Sequence, residues 1–96
     1  MSAVETRTLH AEAAFRQSVW CWAKKIGVRP RQVRIQPMRL KWASCSVRGT
    51  VSFSRDLLHR RRRFRDEVVV HELIHLRVPN HGRLFKRLVT AYLARR

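Results

Sequence analysis

Ninety-six residues carry a formal charge of +16, from 22 lysines and arginines against six acids; 18 of the 22 are arginine, and the charge is shared evenly between the two halves. A hydrophobic fraction of 45% with three Trp and four Phe excludes a disordered polyelectrolyte. No apolar run approaches the ~18–20 residues of a membrane span, residues 1–16 lack a signal peptide's apolar core, and Cys21 and Cys45 form neither a disulfide framework nor a Cys-rich zinc finger.

These bounds predict one domain spanning residues 1–96, expected to be a cytoplasmic monomer without membrane contact. So basic a chain calls for a polyanionic partner, most simply nucleic acid. The plainer alternative is an acidic partner protein that neutralises an arginine-rich surface.

In chain order, residues 9–26 read as a helix. Phe15, Val19, Trp22 and Ile26 recur at i, i+4, i+7 and i+11, with Thr8 as N-cap and Gly27 as stop. Strand-like alternation follows in three runs: Val33 and Ile35 before Pro37, Leu40 and Trp42 around Lys41, and Val51 and Phe53 among Thr50, Ser52 and Ser54. Val47-Arg48-Gly49 supplies a turn between the last two runs, which suggests a small three-stranded, mainly antiparallel sheet. A second helix is expected from about Arg62 to Arg77, ended by Pro79 because the residue before a proline disfavours the α region. A last helix from about Arg83 to Ala94 should turn Leu84, Leu88 and Tyr92 inward. The class is α+β.

The second helix carries His71-Glu72-Leu73-Ile74-His75, an H-E-x-x-H sequence. At 3.6 residues per turn, the two histidines share one face a turn apart, so both imidazoles can reach a single Zn²⁺. Glu72 falls beside that face, placed to take a proton from water activated by the metal. A carboxylate among Val70, Leu73 and Ile74 is costly without such a task or a partner. His81 follows His75 by six residues beyond the Pro79-Asn80 break, and can complete a three-His site with an open fourth position. Metzincins use the same six-residue step, but their glycine is Val78 here and no methionine follows the motif. A downstream glutamate ligand, as in gluzincins, is excluded because no acid follows Glu72.

Residues 39–85 resemble the YgjP-like metallopeptidase family and its SprT-like and WLM relatives. The shared features are Lys41-Trp42-Ala43-Ser44-Cys45-Ser46, Gly49-Thr50-Val51-Ser52-Phe53, Val68 through Leu76, Asn80-His81-Gly82 and Phe85. The resemblance implies a minimal zincin-like fold, with His71, His75 and His81 as ligands of one zinc and Glu72 as catalytic base of an endopeptidase acting on protein or peptide. The family's usual glycine before Ser-Cys is Ala43 here, and its usual Trp after Phe85 is Lys86. SprT-like and WLM relatives include proteases of DNA-bound proteins, which favours DNA among polyanions and stimulation by it. The rival function is a non-catalytic nucleic-acid-binding module whose zinc is structural.

The remaining candidates are less constrained. Val51, Ser52 and Phe53 form a strand suited to binding an extended peptide by edge addition. Arg60, Arg61, Arg62, Arg63 and Arg65 form the densest basic run, where positive charge opposes the helix dipole; they are either a solvated loop or a set of phosphate contacts. Tyr92 and Arg77 are candidates for oxyanion stabilisation. Cys45 reads as a small thiol in a strand, and His10 and His59 as surface residues.

Overall fold

The computed structural model describes residues 2–95. Its first helix, α1, runs Ala3–Ile26, beginning well before the predicted start. Ser2, not Thr8, is the cap: its hydroxyl accepts from Glu5 N at 3.1 Å, while the Thr8 hydroxyl donates back to Val4 O within the helix. The extra turns carry no apolar stripe and so leave no periodic signal. Phe15, Val19, Trp22 and Ile26 are buried as the spacing predicts.

Gly27 ends α1 with φ of 81°, its N–H bonded to Ala23 O at 2.9 Å. A Cβ there would meet nothing within 4 Å, so the backbone alone penalises a side chain. Gly27→Ala is therefore expected to cost about 1–2 kcal/mol, read as a fall of several degrees in Tm by thermal unfolding with unchanged helix content.

Three strands follow: β1, Gln32–Gln36; β2, Ala43–Cys45; and β3, Thr50–Ser54. Their order is β1-β3-β2. β3 runs antiparallel to β2, with Ser44 opposite Ser52, and parallel to β1, with Val33 opposite Val51 and Ile35 opposite Phe53. The sheet is thus mixed rather than mainly antiparallel. The most buried strand, β3, takes the centre, and the β1–β2 connection crosses over to leave it there.

The second strand lies later than its predicted position. Leu40 is 99% exposed in the connection, and Trp42 lies just before the strand, its ring edge-on to Phe64 with centroids 5.3 Å apart. A short 3₁₀ turn over Arg55–His59, unforeseen in the sequence, buries Leu57 and is capped by the Ser54 hydroxyl.

Helix α2 covers Arg62–Ile74. Beyond it, Leu76 and Arg77 donate to Leu73 O and Ile74 O, tight i→i−3 bonds that wind down the helix before Pro79. Helix α3, Arg83–Leu93, begins at Gly82. Its inward face is Phe85, Leu88, Val89 and Tyr92, at helical spacing but one position on from Leu84, which is 58% exposed rather than inward. Phe15 of α1 packs edge-on against Phe53 of β3 at 5.1 Å. Trp22 Nε1 donates to Asp66 Oδ1 at 3.1 Å, joining α1 to α2 inside the core. This core fixes the orientation of α2, and with it the face that carries the histidines.

Candidate active site

His71 and His75 lie on one face of α2's C-terminal end, their ring centroids 5.1 Å apart. Leu73 and Ile74 between them are fully buried, so the core sets the rotation of this turn. The chain breaks at Pro79 and returns His81 to the same place, its centroid 4.4 Å from His75 and 5.1 Å from His71. One nitrogen from each imidazole lies within 4.8 Å of the others. His81 Nε2 and His71 Nε2 are 3.2 Å apart, close to the ~3.3 Å edge of a tetrahedron built on Zn–N bonds of 2.0–2.1 Å. Three convergent imidazole nitrogens form a donor set suited to zinc.

Phe85 backs the cluster. It is buried, and its ring centroid is 4.7–4.8 Å from each of the three imidazoles. Its sequence signal is the i+4 step from His81, which places it one turn into the helix that follows. Burial first, then the neighbouring imidazoles, pushes the His71 pKa down. His75 is lowered in the same way by burial and His81, while a hydrogen bond to the Pro79 backbone works the other way. Proline has no N–H, so that partner is the carbonyl; the proton is drawn to one ring nitrogen and the other keeps its lone pair.

Glu72 and His75 line one open cleft of about 890 Å³, between the end of α2 and the residues around β2. Burial raises the Glu72 carboxyl above the usual carboxylate range, against the pull of Lys41. Lys41 shares this cleft, a proximity that its place in the sequence does not signal. Cys45 is half-buried there, and burial together with Glu72 pushes its thiol pKa up. Arg77 also borders the cleft, with Nη1 donating to Ile26 O, the last residue of α1, at 3.0 Å. Tyr92 is half-buried in α3 under Arg95 and is not brought to the cleft.

Val51, Ser52 and Phe53 cannot accept a peptide by edge addition. β3 is paired on both sides, and Val51 and Phe53 are completely buried. The open edge beside the cleft belongs to β2. Ser54 N donates to Trp42 O and Ser46 N to Thr50 O; with Ser44 opposite Ser52, the antiparallel alternation turns the backbone N–H and C=O of Ala43 and Cys45 away from β3.

The arginine run lies at the other end of α2, nine residues or ~14 Å of helix from His71. Arg60 sits 5.2 Å over both the Trp42 and Phe64 rings. Arg61 is the N-cap without a side-chain hydrogen bond, and no acid occupies the first turn. Arg62 is exposed, Arg63 lies 3.8 Å from Glu67, and Arg65 has a buried Nε with no hydrogen-bond partner. His10 and His59 are exposed and apart from the histidine cluster.

A two-histidine helix end, a glutamate in the adjoining cleft and a third histidine returned by a proline break define a metallopeptidase of the zincin type. The particular family follows from nearly the whole chain: residues 5–95 match the YgjP-like metallopeptidase domain, and the protein belongs to that family. No curated protein matches it. Among solved structures it is similar to the crystal structure of the metallopeptidase zymogen of Pyrococcus abyssi abylysin, with TM-score 0.69 and 24% identity over 78% of this chain and 75% of that one. At that identity the likeness is one of fold. No helix among the described residues is long and apolar enough to cross a membrane.

Proposed function

We propose that this metallopeptidase is an endopeptidase using one Zn²⁺ held by His71, His75 and His81, with Glu72 as base, and that it works on polypeptides at or near nucleic acid. The observation that carries the zinc assignment is the convergence of three imidazole nitrogens within 4.8 Å. When bound, the metal supplies a Lewis acid that polarises a carbonyl and lowers the pKa of water to about 7. Glu72 accepts the proton of the attacking water and returns it to the leaving amine; its raised pKa makes it a better base than an ordinary carboxylate. The outward N–H and C=O groups of Ala43 and Cys45 hold the substrate backbone as an added strand across the cleft.

The nucleic-acid reading rests on the net charge of +16 and on Arg60, Arg61, Arg62, Arg63 and Arg65, gathered where α2 begins. Four successive arginines there are unfavourable for the helix and favourable for phosphates, DNA above all. A cytoplasmic setting suits the two free cysteines, of which Cys21 is exposed.

The test is to measure zinc content, then cleavage of an unfolded protein with and without DNA, and DNA affinity across salt concentrations. The expected results are one zinc per chain, faster cleavage with DNA, and a log–log salt slope that shrinks by about 1 for each of Arg61→Ser and Arg62→Ser. DNA affinity that ignores these substitutions would remove the arginine run from the reading.

A further inference from the structure

The peptidase cleft and the groove on the other side of the histidines share an electrostatic character. The cleft holding Glu72 and His75 is bordered by Arg29, Lys41 and Arg48. A groove of about 550 Å³ along α3 begins at His81 and Gly82 and carries Arg83, Lys86 and Arg87. These three occupy positions i, i+3 and i+4 of one helical face, so they point into the groove together. The histidine trio stands between the two hollows, with His75 in one and His81 in the other.

A single carboxylate opposes this charge. Of the six acids, only Glu72 lies in either hollow. Glu12 is 3.3 Å from Arg55, Glu67 is 3.8 Å from Arg63, and Asp66 is buried against Trp22. Glu5 and Asp56 are exposed on α1 and on the 3₁₀ turn. Arg29, Lys41, Arg48, Arg83, Lys86 and Arg87 are all exposed; Lys41 acts on Glu72, and none of the six is in either of the two salt bridges among the described residues, Arg55–Glu12 and Arg63–Glu67. A strand added to β2 would have Lys41 before the strand and Arg48 after it.

We propose that the enzyme selects acidic polypeptide: Asp and Glu side chains flanking the scissile bond are held by Lys41 and Arg48 at the two ends of β2 and by Arg83, Lys86 and Arg87 along α3. This rests on the peptidase reading and names its substrate class. Acidic protein fits better than nucleic acid here, because the cations surround the general base and the open strand edge, the groups that recognise a peptide. The arginine run at the far end of α2 remains available for phosphates.

The test uses zinc-loaded protein and three peptides of equal length, with acidic, neutral or basic residues flanking one cleavable bond. The acidic peptide is expected to exceed the basic one in kcat/KM by on the order of tenfold, from two or three exposed ion pairs of ordinary strength. The ratio should shrink as salt rises and fall in Arg48→Glu and Arg87→Glu. Equal cleavage of acidic and basic peptides overturns the selectivity and leaves the peptidase reading intact. Zinc-loaded Glu72→Gln protein, read by fluorescence anisotropy, tests the same preference without turnover. Acid-selective binding with no cleavage by the unsubstituted protein would instead uphold the selectivity and sink the peptidase reading. Single-stranded DNA displacing the acidic peptide more strongly than a peptide of equal charge would assign the cleft to nucleic acid and overturn the proposal.

Discussion

Zinc-loaded protein carrying Glu72→Gln is expected to keep its metal and its fold and to lose cleavage by about 10²–10⁴-fold, the usual contribution of a positioned general base. Gln is nearly the same shape as Glu, so the buried part of the side chain keeps its packing and only the basic oxygen is lost. Because burial lifts the carboxyl pKa, the neutral amide costs less in desolvation than the carboxylate, and stability should hold or rise slightly. The loss should fall on kcat with little change in KM, since the proposed substrate contacts are backbone groups of β2 and do not include Glu72. Steady-state kinetics with metal content measured on the same sample checks this. Equal rates for the two proteins would show that the proton is carried elsewhere.

The second large effect belongs to His81. His71 and His75 are fixed by the core through α2, whereas His81 is exposed and lies outside any helix. His81→Ala should leave the fold intact and lower zinc affinity by more than about a hundredfold, beyond what loss of a second-shell group costs. Zinc at a hundred times its Kd stabilises the folded state by about 2.7 kcal/mol, a Tm rise on the order of ten degrees or more for a domain this size. That rise should vanish in His81→Ala and survive in His59→Ala, which changes an exposed histidine of the 3₁₀ turn. A zinc-dependent rise that survives in His81→Ala would reduce the site to the helical pair.

Elements with a buried stripe announce themselves in the sequence. Phe15, Val19, Trp22 and Ile26 predict the packed part of α1, and H-E-x-x-H followed by His81 predicts the cluster, because both depend on local spacing. The early turns of α1 were hidden because helix propensity and a Ser2 cap hold them without burial. The strand order was hidden for a different reason: alternation gives the faces of a strand but not its neighbours. From Val51 and Phe53 alone, a central strand and an edge strand look alike, so the pattern points to β3 as an edge although β3 is central and β2 lies at the edge. Leu40 and Trp42 alternate like a strand yet lie in a connection, where Trp42 meets Phe64 edge-on. Lys41 and Phe85 enter the site through tertiary packing, which no spacing rule anticipates for Lys41 and only the turn after His81 anticipates for Phe85.

The bond from Arg77 to the Ile26 carbonyl gives the third histidine a thermodynamic advantage. It satisfies an acceptor left over at the end of α1 and fastens the chain just past α2, so only residues 78–80 span the distance from that anchor to His81. Gly82 and the start of α3 hold the other side, where Lys86 N bonds to Gly82 O at 3.2 Å. A ligand on so short a tether meets the helical pair at a high effective concentration, and most of its loop entropy is already lost when the chain folds. The N-terminal helix, with no ligand of its own, would thereby strengthen the chelate proposed for His71, His75 and His81.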